Sequence, residues 1–254
     1  MLLAIDIGNT NITLGAYRED FLIFTARLCT ESGKTSDQYA IELKNLLELY
    51  SVDYKEIEDC IISSVVPSVS KAISRAVSLL CEIVPLTVGP GIKTGLDIKI
   101  DNPAQLGADL VVGAVGAIAE YNLPCIIIDM GTASTIFTVD KTGAFIGGAI
   151  AAGAKLTLKA LCENTTQLPA IDIAAPKSVI GKNTVDCMKS GLVFGTAGML
   201  DGIIDRISEE LGEIPTVVAT GGLSKDIIKY CRNDIIYNEN LLLDGLKEIY
   251  EKNK

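Results

Sequence analysis

The sequence predicts an α/β protein built as two similar lobes with a ligand cleft between them. Three observations lead there. Valine and isoleucine are plentiful, while aromatic residues make up 5% of the chain and tryptophan is absent. That is the composition of parallel strands buried on both faces under helices. Apolar runs of strand length alternate with stretches of helical spacing, which implies a mostly parallel or mixed sheet in each lobe. One strand–turn–strand unit also occurs twice, about half a chain apart, so the chain reads as an internal repeat.

The first copy is an apolar run over 2–5, then Asp6-Ile-Gly8-Asn9-Thr10-Asn11, then Ile12 and Leu14. The second is an apolar run over 125–128, then Asp129-Met-Gly131-Thr132-Ala-Ser134, then Ile136, Phe137 and Val139. Each predicts a β-hairpin whose turn presents a carboxylate, free N–H groups and hydroxyls. The two turns are expected to face each other across the cleft. Residues 36–50 have helical spacing with Ser36 as N-cap. A strand over 60–66 runs into Pro67 and a helix over about 68–81. Residues 104–121 are expected as one helix, with Asn102 as cap and Pro103 at its first position. Beyond the second hairpin, 145–151 reads as a strand and 156–162 as a helix. Then follow a long helix over Thr184–Leu211, a strand over 216–219, a short helix over 225–231 and a last helix over 241–250. Residues 1–117 form the expected N-terminal lobe and 118–254 the C-terminal lobe, with the last helix free to pack back on the first.

Charge and composition exclude several functions. The net charge is −10, with no cluster of Lys and Arg to neutralise a phosphate backbone, so no nucleic-acid partner is expected. A phosphate ligand would have to be held by backbone N–H groups, a few local cations or metal ions. Seven scattered cysteines, never in a C-x-x-C pair, argue against a disulfide framework or a zinc site and for a reducing compartment. The chain opens directly on a strand-like segment, and no apolar run approaches the roughly 18 residues of a membrane span. The expected protein is cytoplasmic, with no membrane partner. There is no histidine, which removes imidazole as base, ligand or phosphoryl carrier. A general base must be Asp or Glu, ahead of Lys, Cys or Tyr.

The Asp6 turn is the strongest candidate site. Asp6 at a strand end can hold Mg²⁺ through water, Gly8 lets the backbone approach a phosphate, and Asn9 and Thr10 add polar groups. Asp129, Gly131 and Thr132 repeat the pattern. A third strand over 217–220 ends in Gly221-Gly222, where a flat ligand ring can lie against bare backbone. Asp109 lies in a helix that is apolar nearly all round. An ionised carboxylate there is costly unless it has partners or a task, such as taking a proton from an acceptor hydroxyl. Gly33-Lys34-Thr35 resembles the end of a P-loop, but Leu28 stands where the earlier glycine must be. Gly191, Gly195, Gly198 and Gly202 line one face of the long helix. That stripe predicts close packing between lobes or subunits.

Taken together, these elements make the chain resemble a type III pantothenate kinase from end to end. The resemblance is carried by Asp6-Ile-Gly-Asn-Thr10, Thr35-Ser-Asp37, Ser63-Ser-Val-Val-Pro67, Gly89-Pro-Gly-Ile-Lys-Thr-Gly95 and Asp101-Asn-Pro103. It continues through Gly107-Ala-Asp109, Asp129-Met-Gly-Thr132, Gly147-Gly148, the 176–184 segment, Thr220-Gly-Gly222 and the 243–250 tail. It implies the fold of actin-like ATPases and of acetate and sugar kinases. The implied activity is ATP-dependent phosphorylation of pantothenate, the first step towards coenzyme A. It further implies a homodimer, Mg²⁺ and a monovalent cation, K⁺ or NH₄⁺. Carried over by residue, Asp6, Ile7, Gly8, Asn9, Thr10, Asn11, Ile12, Thr13 and Thr132 would bind ATP, with the nucleoside at Gly221 and Gly222. Asp129 would hold the monovalent cation. Gly107, Ala108, Asp109, Leu110, Thr184 and Ile100 would meet the substrate, and Asp109 would be the proton acceptor. The family pattern has Tyr at 100 and Arg at 110, where this chain has Ile100 and Leu110. Those departures favour a related acceptor, or a nucleotide-binding regulator without turnover, as alternatives.

Overall fold

A computed structural model describes Met1–Lys254. The chain divides into two units. The first comprises Met1–Leu96, Asn102–Ala119 and Asn240–Lys254, and the second Asp97–Asp101 and Glu120–Glu239.

In the first unit, β1 (Leu2–Ile7), β2 (Asn11–Arg18) and β3 (Phe21–Cys29) form an antiparallel meander. After α1 (Ser36–Leu49), β4 (Asp59–Ser64) adds parallel to β1. After α2 (Pro67–Cys81), the short β5 (Leu86–Thr87) adds parallel to β4. Alternation sorts β1 between two cores. Leu3, Ile5 and Ile7 pack with Tyr39, Leu43 and Leu47 of α1 and with Val69, Ile73 and Val77 of α2. Leu2 and Ala4 point the other way, onto Val112 and Val115 of α3 (Ala108–Glu120) and Leu243, Leu246 and Ile249 of α7 (Leu241–Glu251). Burial on both faces explains why β1 is apolar at nearly every position.

Helices α3 and α7 touch backbone to backbone. A Cβ on Gly116 would stand 2.5 Å from the Leu241 carbonyl oxygen, and one on Gly245 2.1 Å from that of Val112. Polar ties hold α7 to the strands: Tyr17 Oη donates to Asp244 at 2.7 Å, and Tyr250 Oη to Asp59 at 2.5 Å.

The second unit repeats the strand order. A short β6 (Asp97–Ile98) precedes β7 (Cys125–Met130), β8 (Ala133–Val139) and β9 (Ala144–Ala152), and these three form a meander. Helices α4 (Ala154–Glu163) and α5 (Thr184–Leu211) lead to β10 (Thr216–Thr220), which lies parallel to β7. A short α6 (Ser224–Ile227) leads to β11 (Ile236–Tyr237), parallel to β10. Thus β9-β8-β7-β10-β11 matches β3-β2-β1-β4-β5, with β6 added at the β9 edge. Ile126, Ile128, Met130 and Ile136 pack against Leu192, Leu200 and Ile204 of α5.

Several boundaries differ from the sequence expectation. Helix α1 is capped by Thr35 rather than Ser36, because Thr35 and Gln38 form a reciprocal capping box. The helix expected over 104–121 is two pieces. Pro103–Gln105 makes a 3₁₀ turn, and α3 starts afresh at Ala108. The segment over 225–231 is α6 followed by a 3₁₀ turn at Ile228–Tyr230.

Candidate functional site

The Asp6 turn is built by its backbone. The Gly8 N–H donates to the Asn11 carbonyl at 3.0 Å, and Thr30 Oγ1 donates to the Gly8 carbonyl at 2.7 Å. A Cβ on Gly8 would come 3.2 Å from that Asn11 oxygen, so the turn is tightest with glycine there. Asn9, Thr10 and Asn11 are exposed, whereas Ile7 and Ile12 are fully buried in the core. Those two isoleucines can therefore offer a ligand only their backbone. Asp6 is 7% exposed. Register sets it between Thr13 of β2 and Ser63 of β4, whose side chains share its face of the sheet.

Asp109 stands at the same end of that face. Helix α3 covers Ala4 and Ile61 with Val112 and Val115, and Ala108 reaches the same cluster. One residue earlier, Gly107 lies beside Val65, just past the end of β4. The Asp109 carboxylate turns back over Gly107, where a Cβ would stand 2.4 Å from Oδ1. This explains both the glycine and the break before α3. The Leu110 N–H donates to Asp109 Oδ1 at 2.9 Å. Burial raises the Asp109 pKa above the ordinary carboxylate value, and the backbone N–H groups of Leu110 and Asp109 offset that only in part. A carboxylate displaced in this direction is a better proton acceptor than a solvated one. Leu110 and Ala108 are half-buried beside it.

In the second unit the Gly131 N–H donates to the Ala133 carbonyl at 3.0 Å, and the Gly153 N–H to the Thr132 carbonyl at 3.1 Å. These bonds hold Thr132 exposed at the start of α4. Asp129 sits in register between Thr135 and Thr220, as Asp6 sits between Thr13 and Ser63. Gly221 has φ +93°, and a Cβ there would stand 2.6 Å from Asp129 Oδ1. The loop carrying Gly221 and the exposed Gly222 therefore runs directly against the carboxylate. Thr184 is exposed and opens α5, whose cap Asn183 accepts from the Asp186 N–H at 2.9 Å. Ile100 follows β6 and lies alongside Gly147, the site of a positive-φ bend in β9. A cavity of about 340 Å³ is lined by Pro169, Ala170, Ile171, Asp172, Val185 and Lys189. None of the candidate residues lines it.

Sequence reasoning missed Ser63, Thr135 and Thr220 as companions of the two aspartates. No group of three His, Cys, Asp or Glu side chains makes a self-sufficient metal centre. One carboxylate with flanking hydroxyls suits Mg²⁺ that keeps its waters and phosphate ligands, or a monovalent cation.

The profile of type III pantothenate kinases matches residues 2–206. Type III pantothenate kinases of Exiguobacterium sp. and Citrifermentans bemidjiense are 42% and 43% identical to this chain, covering 100% of it and of themselves. Among solved structures, component A of (R)-2-hydroxyglutaryl-CoA dehydratase from Acidaminococcus fermentans superposes with a TM-score of 0.59. It is 13% identical, covers 98% of this chain and 96% of its own, and is similar in fold alone. No helix is long and apolar enough to cross a membrane.

Proposed function

This chain belongs to the type III pantothenate kinase family, and from that premise we propose how its residues divide the work. It has the fold of actin-like ATPases and sugar kinases. It is a kinase that phosphorylates pantothenate in coenzyme A biosynthesis. Asp109 accepts the proton of the pantothenate hydroxyl, and the observation that carries this is its desolvated carboxyl at the head of α3, on the sheet face of Asp6. Residues 6–13 and Thr132 hold ATP, with Gly221 and Gly222 at its nucleoside. Mg²⁺, when bound, offsets phosphate charge during transfer, and Asp6 orients it through water. Asp129, with Thr135 and Thr220 on the same face, holds K⁺ or NH₄⁺. Gly107, Ala108, Leu110, Ile100 and Thr184 shape the acceptor site.

The working form is a cytoplasmic homodimer. All seven cysteines are free, which suits a reducing compartment. No atom within the limits of ordinary contact faces the positions where Cβ atoms would stand on Gly191, Gly195 and Gly198. That open face, which ends where Gly202 meets Arg206, would suit close packing of a second copy. Coupled ADP release with pantothenate tests the activity and the cation together. Turnover should appear in potassium buffer and fall in sodium-only buffer. Equal rates would remove Asp129 from the cation, and no pantothenate-dependent ADP at all would overturn the reading.

Leu110 and Ile100 bear on the pantothenate carboxylate, because neither offers charge or a donor. A charge-assisted hydrogen bond is worth roughly 10- to 150-fold in affinity. Leu110→Arg with Ile100→Tyr should therefore raise kcat/KM for pantothenate. If kcat/KM is unchanged or lower, another cation such as Lys93 or Lys182 holds the carboxylate.

A further inference from the structure

Ser63 and Ser64 stand side by side at the end of β4, and their hydroxyls have opposite fates. Ser64 Oγ donates to the Val66 carbonyl at 3.2 Å and accepts from the Val66 N–H at 3.0 Å, closing the turn into α2. Ser63 is 0% exposed, and its Oγ has no hydrogen-bond partner. A buried hydroxyl without a partner is destabilising. Folds retain such a group where function rather than stability selects it.

Its surroundings indicate which function. Ser63 is the parallel register partner of Asp6, on a neighbouring strand about 4.8 Å away, with its side chain on the same face. Two residues before it, Ile61 is covered by α3; two residues after it, Val65 lies beside Gly107. Ser63 thus stands beside Asp6 on that face, at the end of the sheet where the Gly107–Asp109 segment begins. In the second unit an unpaired hydroxyl also lies beside the repeated aspartate, but on β8, the counterpart of β2 rather than of β4. Asp129 is flanked by Thr135 and Thr220, and Thr135 Oγ1 is also buried without a partner. One unpaired hydroxyl could be an accident of packing. One beside each of the two repeated aspartates points to a shared use.

We infer that Ser63 is a ligand-binding residue of the Asp6 turn, its hydroxyl reserved for hydrogen-bonding an oxygen of the magnesium–nucleotide complex that Asp6 orients. This rests on the assignment of Asp6 to the nucleotide. Ser63 then meets its hydrogen-bonding requirement only with ligand present, so the contact acts wholly in binding and not in folding.

The test uses the full chain, with Ser63→Ala and Asp6→Asn compared to the unaltered protein. Two quantities are measured: the melting temperature without ligand, and the calorimetric affinity for a non-hydrolysable ATP analogue with Mg²⁺. Ser63→Ala should melt at the same temperature or higher, yet bind the analogue roughly ten- to a hundredfold more weakly. A lower melting temperature with unchanged affinity would show that the hydroxyl is structural, and no change in either would show it to be inert; both overturn the proposal. Asp6→Asn separates the two readings. If it weakens the analogue while Ser63→Ala does not, only the role of Ser63 falls. If Asp6→Asn also binds normally, the nucleotide assignment falls with it.

Discussion

Asp109→Asn lowers turnover by at least ~10²-fold, the usual scale for a lost general base, while nucleotide affinity stays near that of the unaltered chain. The amide keeps the size and polarity of the carboxylate but cannot take a proton. The same substitution leaves the fold as stable at neutral pH, or more so. Burial raises the Asp109 pKa in the folded chain, so between the ordinary carboxylate value and the raised one the folded state holds a proton that the unfolded state has lost. Stability therefore falls as pH rises through that window, and the charged form is a burden above it. Asn removes the burden. For activity the sign is reversed, since the deprotonated form works. The acid limb of kcat/KM lies above the pH of an ordinary carboxylate and vanishes in Asp109→Asn. A variant with near-normal turnover would make Asp109 a structural carboxylate. A fall in melting temperature would show that the extra strength the negative charge gives its backbone N–H bonds outweighs desolvation.

Gly245→Ala has the largest expected effect on stability. The added Cβ would stand 2.1 Å from the Val112 carbonyl oxygen and 3.1 Å from the Gly116 nitrogen. Both are backbone atoms of α3, so no side-chain rotation relieves the clash and the helices must separate. Overpacking of this kind costs about 3 kcal/mol, or roughly 6–12 °C in melting temperature for a chain of this size. Denaturant titration checks it directly. The midpoint should drop with little change in slope. Because α3 carries Asp109, turnover should also fall when assayed well below the melting temperature. An unchanged midpoint would mean that α7 slides along α3 without loss.

The hairpins at Asp6 and Asp129 were legible because turn chemistry and apolar alternation are local. The long helix was legible for the same reason: Asn183 caps it and Gly212, at φ 70°, ends it. What escaped depends on contacts between distant residues. The break before α3 comes from Asp109 folding over Gly107, which helical spacing does not encode. Strand β3 was missed because its apolar run, Phe21–Phe24, is short and mostly exposed or half-buried, so that pairing with β2 is what defines the strand. The short β6 joins the second unit through Asp97 and Ile98 pairing with Ala144 and Phe145, distant in sequence. Ser63, Thr135 and Thr220 become neighbours of the aspartates through register alone, so a single sequence shows the carboxylates and hides their companions.

The return of α7 to the first unit also sets an order of assembly on the ribosome. Synthesis runs from the N-terminus, and domains generally fold as units as they emerge. Residues Glu120–Glu239 of the second unit have all been made before Leu241 exists. The first unit, begun earliest, is finished last. Until Leu243, Leu246 and Ile249 emerge, the face of its sheet bearing Leu2, Ala4 and Ile61 lacks half its cover. A nascent chain stalled just short of α7 would contain every residue of the second unit but lack part of the first. It would present that apolar face to any chaperone waiting at the exit tunnel.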